Sequence, residues 1–196
     1  MRIVSLVPSA TEMLFALGLG ADVIAVTHEC HYPPAARALP KVTRSTLPDD
    51  LTAGQLDAAV RARAEQGEPL YELDVDALRS LRPDLIVAQA LCAVCAVSFE
   101  EVRAIAERLD PQPRVIPLDP RTLGEALGGI RTLAEATGRR DAGVDLVGAA
   151  ARRIDRVRLA VRGRRPVRVA ALEWLDPVYV AGHWTPQLIE YAGGFD

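Results

Sequence analysis

The first 120 residues alternate between short, almost wholly apolar runs and longer stretches with helical spacing. Ile3–Val7, Val23–Thr27, Leu85–Ala88 and Val115–Leu118 are runs of four or five residues rich in Val, Ile and Leu. Runs of that length and continuity predict strands covered on both faces, as in a parallel sheet. Between them the chain carries helix punctuation. Ser9-Ala-Thr-Glu12 predicts a capping box that opens a helix through Met13, Leu14 and Leu17, stopped by Gly18 and Gly20. Thr52 predicts the start of a helix to Gln66, Asp74 caps Val75–Leu81, and Ser98 caps a helix to about Leu109. A polar, proline-rich loop is expected from His28 to Asp50. The β-α-β-α rhythm predicts a parallel-sheet N-terminal α/β lobe over 1–119.

The pattern then changes. Thr122-Leu-Gly-Glu125 predicts a capped helix to about Thr137, and a second helical stretch follows from Asp141 to Arg162. Its apolar stripe is Val147, Ala150, Ala151, Ile154, Val157 and Val161. Residues 120–163 therefore read as helices, including one long interlobe helix. Val167–Leu172 predicts a new strand, and Thr185 with Pro186 a new helix that ends at Gly193-Gly194. One strand and one helix bury no core of their own. Residues 164–196 are thus expected to be the start of a second α/β lobe, truncated after Asp196.

Composition narrows the function classes. The 196 residues are 49% hydrophobic and 25% charged, with a net charge of −3, so no global field favours nucleic acid. The arginines between Arg152 and Arg168 lie mostly on the long helix without interleaved aromatics and read as a solvated face. No run reaches the ~20 apolar residues that span a bilayer. Three cysteines are an odd count, against a disulfide framework. Gly18-Leu-Gly20 follows a helix and not a strand, so it is no dinucleotide fingerprint, and no nucleophile elbow is present. Met1-Arg2 leads straight into the first strand. That leaves two compartments open: cytoplasmic if Met1 is the native start, periplasmic or cell-surface if a leader was removed.

The chemistry-bearing residues are clustered. All cysteines, histidines and tryptophans fall in His28–Tyr32, Gln89–Cys95 and Glu173–Trp184. Each segment follows an expected strand, and ligands of open α/β sheets bind outside the strands' carboxyl ends. Cys92-Ala-Val-Cys95 has the spacing of a redox pair or half a metal site, and equally suits buried structural thiols. With His28 and Cys30 it could complete a zinc or iron site, although the spacing matches no zinc finger. Tyr32, ahead of Pro33-Pro34, suits a stiff ligand wall, and Trp174, His183 and Trp184 suggest a stacking surface.

Several motifs resemble those of the substrate-binding proteins of ABC transporters for cobalamin and ferric siderophores. They are the opening strand with Pro8-Ser-Ala-Thr-Glu12, the stretch Gly18–Val26, Tyr32-Pro-Pro34 and Leu81–Val87. The resemblance, nearest to the cobalamin-binding group, implies two α/β lobes joined by a rigid helix and a flat corrinoid between aromatic walls. It implies delivery to a transporter permease, no enzymatic activity and no required cofactor. Pro8, Tyr32, Gln89, Trp174, His183 and Trp184 are the ligand-binding residues so expected. Cys30, Cys92, Cys95 and His183 stand outside the corrin pattern. They keep alternatives open: direct His or Cys contact to cobalt, an iron chelate such as a siderophore or haem as ligand, or a Cys/His metal-binding or redox protein. An enzyme acting on a corrinoid is a further rival.

Overall fold

A computed structural model describes residues 1–90 and 97–196 and divides them into two compact units. The first holds 1–51 and 58–119, the second 52–57 and 120–196.

The first unit is built on four parallel strands: β1 (Ile3–Ser5), β2 (Val23–Val26), β5 (Leu85–Gln89) and β6 (Arg114–Leu118), in spatial order β2-β1-β5-β6. Two further strands, β3 (Thr43–Ser45) and β4 (Tyr71–Leu73), form an antiparallel ribbon. Four helices complete the unit: α1 (Pro8–Ala16), α2 (Ala53–Gln66, shared with the second unit), α3 (Val75–Leu81) and α4 (Phe99–Ala106). Val4, Leu6, Ala25, Ile86 and Ala88 share one buried cluster with Leu78 of α3 and Val102 and Ala106 of α4. The residues between them on the strands are buried too, Ile3, Ser5 and Val87 among them. Burial on both faces is why these runs are continuously apolar instead of alternating. From β1 the chain steps to β2 on one side, and from β5 to β6 on the other. Right-handed crossovers then send the loops after β1 and β5 to opposite faces, which opens a crevice at the carboxyl ends of those two strands.

The helix starts follow their caps, with two corrections. Asp74 accepts from Ala77 N–H at 2.9 Å, Ser98 from Glu101 N–H at 3.2 Å, and Thr52 exchanges hydrogen bonds with Gln55. The expected box at Ser9–Glu12 does not form. Helix α1 begins at Pro8, with Val7 extended before it and no side-chain cap. Proline at the first turn needs no partner for an absent N–H and arrives with helical φ, so the start moves two residues earlier, from a cap at Ser9 to one at Val7. The expected polar loop 28–50 contains a 3-10 turn at Pro34–Ala38 and strand β3. Strands β3 and β4 escape a reading of periodicity because three residues show barely one alternation.

In the second unit, α5 (Leu123–Ala136) and α6 (Arg140–Val161) pack closely around Ile130, Leu133, Ala134, Gly143 and Val147. The Thr122–Glu125 capping box is present. The expected single strand Val167–Leu172 is instead split. β7 (Val167–Arg168) pairs in parallel with β10 (Gly194–Phe195), and β8 (Leu172–Leu175) pairs antiparallel with β9 (Val178–Val180). Helix α7 (Thr185–Tyr191) is preceded by Trp184 at the cap position, with Pro186 in the first turn and no side-chain cap from Thr185. Leu123 N–H donates to the Gln187 amide oxygen Oε1 at 2.8 Å, tying the start of α5 to α7. Val167, Leu175, Val178 and Val180 are exposed, as expected of strands too few to enclose a core. No described helix is long and apolar enough to cross a membrane.

Candidate functional site

A cavity of about 380 Å³ opens at the carboxyl ends of the first unit's strands. Leu6 comes from the loop after β1, Pro8 from the first turn of α1, Thr27, His28 and Glu29 from the turn after β2, and Gln89 from the end of β5. Val97, with Thr43 and Tyr71 of the ribbon, completes the wall. Two other depressions, of about 400 and 600 Å³, are lined largely by charged residues such as Arg44, Glu72, Asp76, Arg79 and Arg108. The strand-end cavity combines apolar walls from Leu6, Pro8 and Val97 with convergent polar groups, the usual make-up of a ligand site.

A tight turn fixes the polar side of the cavity. Cys30 N–H donates to Thr27 C=O at 3.1 Å, so His28 and Glu29 occupy the two central turn positions. The backbone N–H of His28 donates to Thr43 Oγ1 at 3.2 Å, and the same hydroxyl lies 2.8 Å from His28 Nδ1. The imidazole also packs 5.4 Å, centroid to centroid, from the Tyr71 ring. Burial, and secondarily the negative charge of Glu29, push the Tyr71 phenol above its usual range. A phenol held neutral serves as a wall or hydrogen-bonding group before it serves as an anionic metal ligand.

Cys30 lies beneath this turn, fully buried, and is not part of the cavity wall. Its sulfur is 3.1 Å from Thr27 Oγ1 and 3.2 Å from Thr11 Oγ1. Thr11 donates to Ser5 Oγ at 2.9 Å, and Ser5 donates to Val7 C=O at 3.2 Å. Each hydroxyl has one proton, so the chain runs from Thr27 through Cys30, Thr11 and Ser5 to the Val7 carbonyl. The thiol is thereby satisfied as donor and acceptor, which is the setting of a structural cysteine. Among the described residues, no group of three or more His, Cys, Asp or Glu side chains is placed to hold a metal ion. Cys92 and Cys95 lie outside the described residues.

Of the ligand-binding residues expected from sequence, Pro8 and Gln89 line the cavity, and so does His28, expected there as a metal ligand. Tyr32 is 63% exposed and not on its wall. Trp174, His183 and Trp184 belong to the second unit. Trp174 lies within β8 and donates Nε1–H to Asp176 C=O at 2.8 Å, while the His183 and Trp184 rings stand 6.0 Å apart. Thr43 and Tyr71 were not expected among the site residues. Both reach it through the β3–β4 ribbon, whose short strands carry little sequence signal.

A model of the periplasmic binding protein family matches residues 3–187. The chain belongs to that family. The vitamin B12-binding protein of Vibrio cholerae is 23% identical over 195 residues, covering 98% of this chain and 59% of the relative. That of Pectobacterium carotovorum is 27% identical over 133 residues, covering 68% and 37%. The chain thus spans about three fifths or less of the length of these curated relatives. Among solved structures, the periplasmic haem-binding protein RhuT of Roseiflexus is similar with a TM-score of 0.70 at 27% identity, covering all of this chain and 65% of the other. The periplasmic vitamin B12-binding protein of Vibrio cholerae, at TM-score 0.65 and 22% identity, covers 98% and 64% and shares the fold. By their names these relatives are binding proteins.

Proposed function

We propose that this chain captures cobalamin or a related corrinoid and delivers it to the permease of an ABC importer. The observation that carries the reading is the cavity at the switch point between β1 and β5, in a family whose curated relatives are vitamin B12-binding proteins. A corrin is far larger than 380 Å³, so this cavity takes one edge or axial face of it. The exposed ring of Tyr32 is the candidate for stacking on the part of the ligand outside the cavity. The test is titration of the full chain with aquocobalamin, followed by absorbance and calorimetry. Binding at micromolar affinity or tighter is expected. Tyr32→Ala is expected to weaken it by about 1 kcal/mol.

Haem is the second reading, favoured by the RhuT similarity at TM-score 0.70. Haem titrated in parallel decides between the two, and tight haem binding with no response to cobalamin replaces the first reading by the second.

A further inference from the structure

One solvent-shielded polar side-chain atom of the cavity residues has no hydrogen-bond partner among the described residues. It is Nε2 of His28, which is shielded from solvent. Its neighbour Glu29 Oε1 stands 3.5 Å away on a side chain that is 57% exposed. The other ring nitrogen is committed. Thr43 Oγ1 already accepts the His28 backbone N–H, and Thr43 is buried, so its own hydroxyl proton needs an acceptor. His28 Nδ1, at 2.8 Å, supplies one. With Nδ1 accepting, the neutral ring carries its proton on Nε2. The atom left unpartnered is then an N–H donor, not a lone pair available to a metal.

We propose that His28 is a specificity-determining residue that donates Nε2–H to an acceptor on the edge of the bound ligand, an amide carbonyl or a carboxylate, and that it does not ligate the ligand's metal. Thr43 is its positioning residue, because the hydroxyl sets both the ring's orientation and its tautomer. This rests on the reading of the cavity as a ligand site. A buried donor left unpaired disfavours any ligand lacking an acceptor at that point, which is how one hydrogen bond selects between otherwise similar flat molecules. Amide-edged and carboxylate-edged ligands share that acceptor chemistry, and cobalamin and haem are the probes that separate them.

The test has two arms on the full chain. Long-range proton–nitrogen correlation of the ¹⁵N-labelled protein reads the His28 tautomer without any ligand. Protonation at Nε2 is expected, shifting toward a mixture in Thr43→Val and retained in Thr43→Ser. Protonation at Nδ1 overturns the proposal. In the second arm, aquocobalamin and haem are titrated into the wild type, His28→Phe and His28→Gln. His28→Phe is expected to bind the preferred probe about tenfold more weakly, and His28→Gln, which keeps an N–H donor, to recover part of that loss. Unchanged affinity in His28→Phe overturns the proposal. So does a shift of the probe's visible bands on binding that disappears in His28→Phe, since that marks a metal–imidazole bond. A wild type that binds neither probe is a different result: it removes the ligand reading and this proposal together.

Discussion

The hydroxyl of Thr11 in helix α1 lies 3.2 Å from the sulfur of Cys30, in the turn after β2, with both side chains buried. The contact joins the first turns of α1 to the turn after β2 and links Thr27, Cys30, Thr11 and Ser5 in one hydrogen-bonded chain. Thr11→Val removes its middle link and leaves a buried thiol and a buried serine each short of a partner. Unfolding free energy is expected to fall by about 1–3 kcal/mol in denaturant titrations. In a Cys92→Ala/Cys95→Ala background, Cys30 is expected to resist thiol reagents until denaturant is added. Stoichiometric labelling of the native protein would contradict the buried placement.

Gly143 packs so tightly against α5 that a Cβ built on it would lie 2.5 Å from the Cβ of Ala134. Alanine is the better helix former by about 1 kcal/mol. Neither methyl can rotate away, however, so the two helices must separate, at about 1–3 kcal/mol. Gly143→Ala is therefore expected to lower the melting temperature despite its propensity gain. A rise would show that α5 and α6 yield to the extra methyl.

Tyr71 titrates above its usual 10.0, because of burial first and Glu29 second. The folded state thus holds the phenolic proton more tightly than the unfolded chain. The resulting stability is complete below pH 10.0 and drains away as pH rises through the folded pKa. Wild type is expected to lose stability there more steeply than Tyr71→Phe, and parallel curves would dismiss the effect.

Glu125 behaves in the opposite sense. The backbone N–H groups of Arg121 and then Thr122 hold its carboxylate below the usual range. A depressed folded pKa contributes stability above the unfolded value and loses it as pH falls through the folded one. Glu125→Gln is expected to flatten the acid limb of the stability profile while leaving helix α5 folded, which pH-dependent melts by circular dichroism would read.

Much of the first unit was legible because its strands announce themselves. Val4, Ile86 and Val87 sit in runs that are apolar on both faces, and Asp74, Ser98 and Thr122 cap their helices as their spacing predicts. Pro8, His28 and Gln89 could be placed at one mouth because each follows or ends such a strand. Thr43 and Tyr71 could not. They reach the cavity from three-residue strands separated by 25 residues of sequence, and only their pairing brings them together. Cys30 carries the opposite lesson. A thiol between two histidines reads as a ligand, yet the turn at Thr27 rotates it inward onto Thr11.

The sequence by itself determined which segments become strands and helices, because burial on both faces and the chemistry of helix ends are local demands written into short runs of residues. Tertiary structure alone decided which side chains share the cavity and what each can do there. Crossover handedness opens the crevice, pairing of distant strands brings Thr43 to His28, and a single hydroxyl proton then sets which imidazole nitrogen is left to meet a ligand.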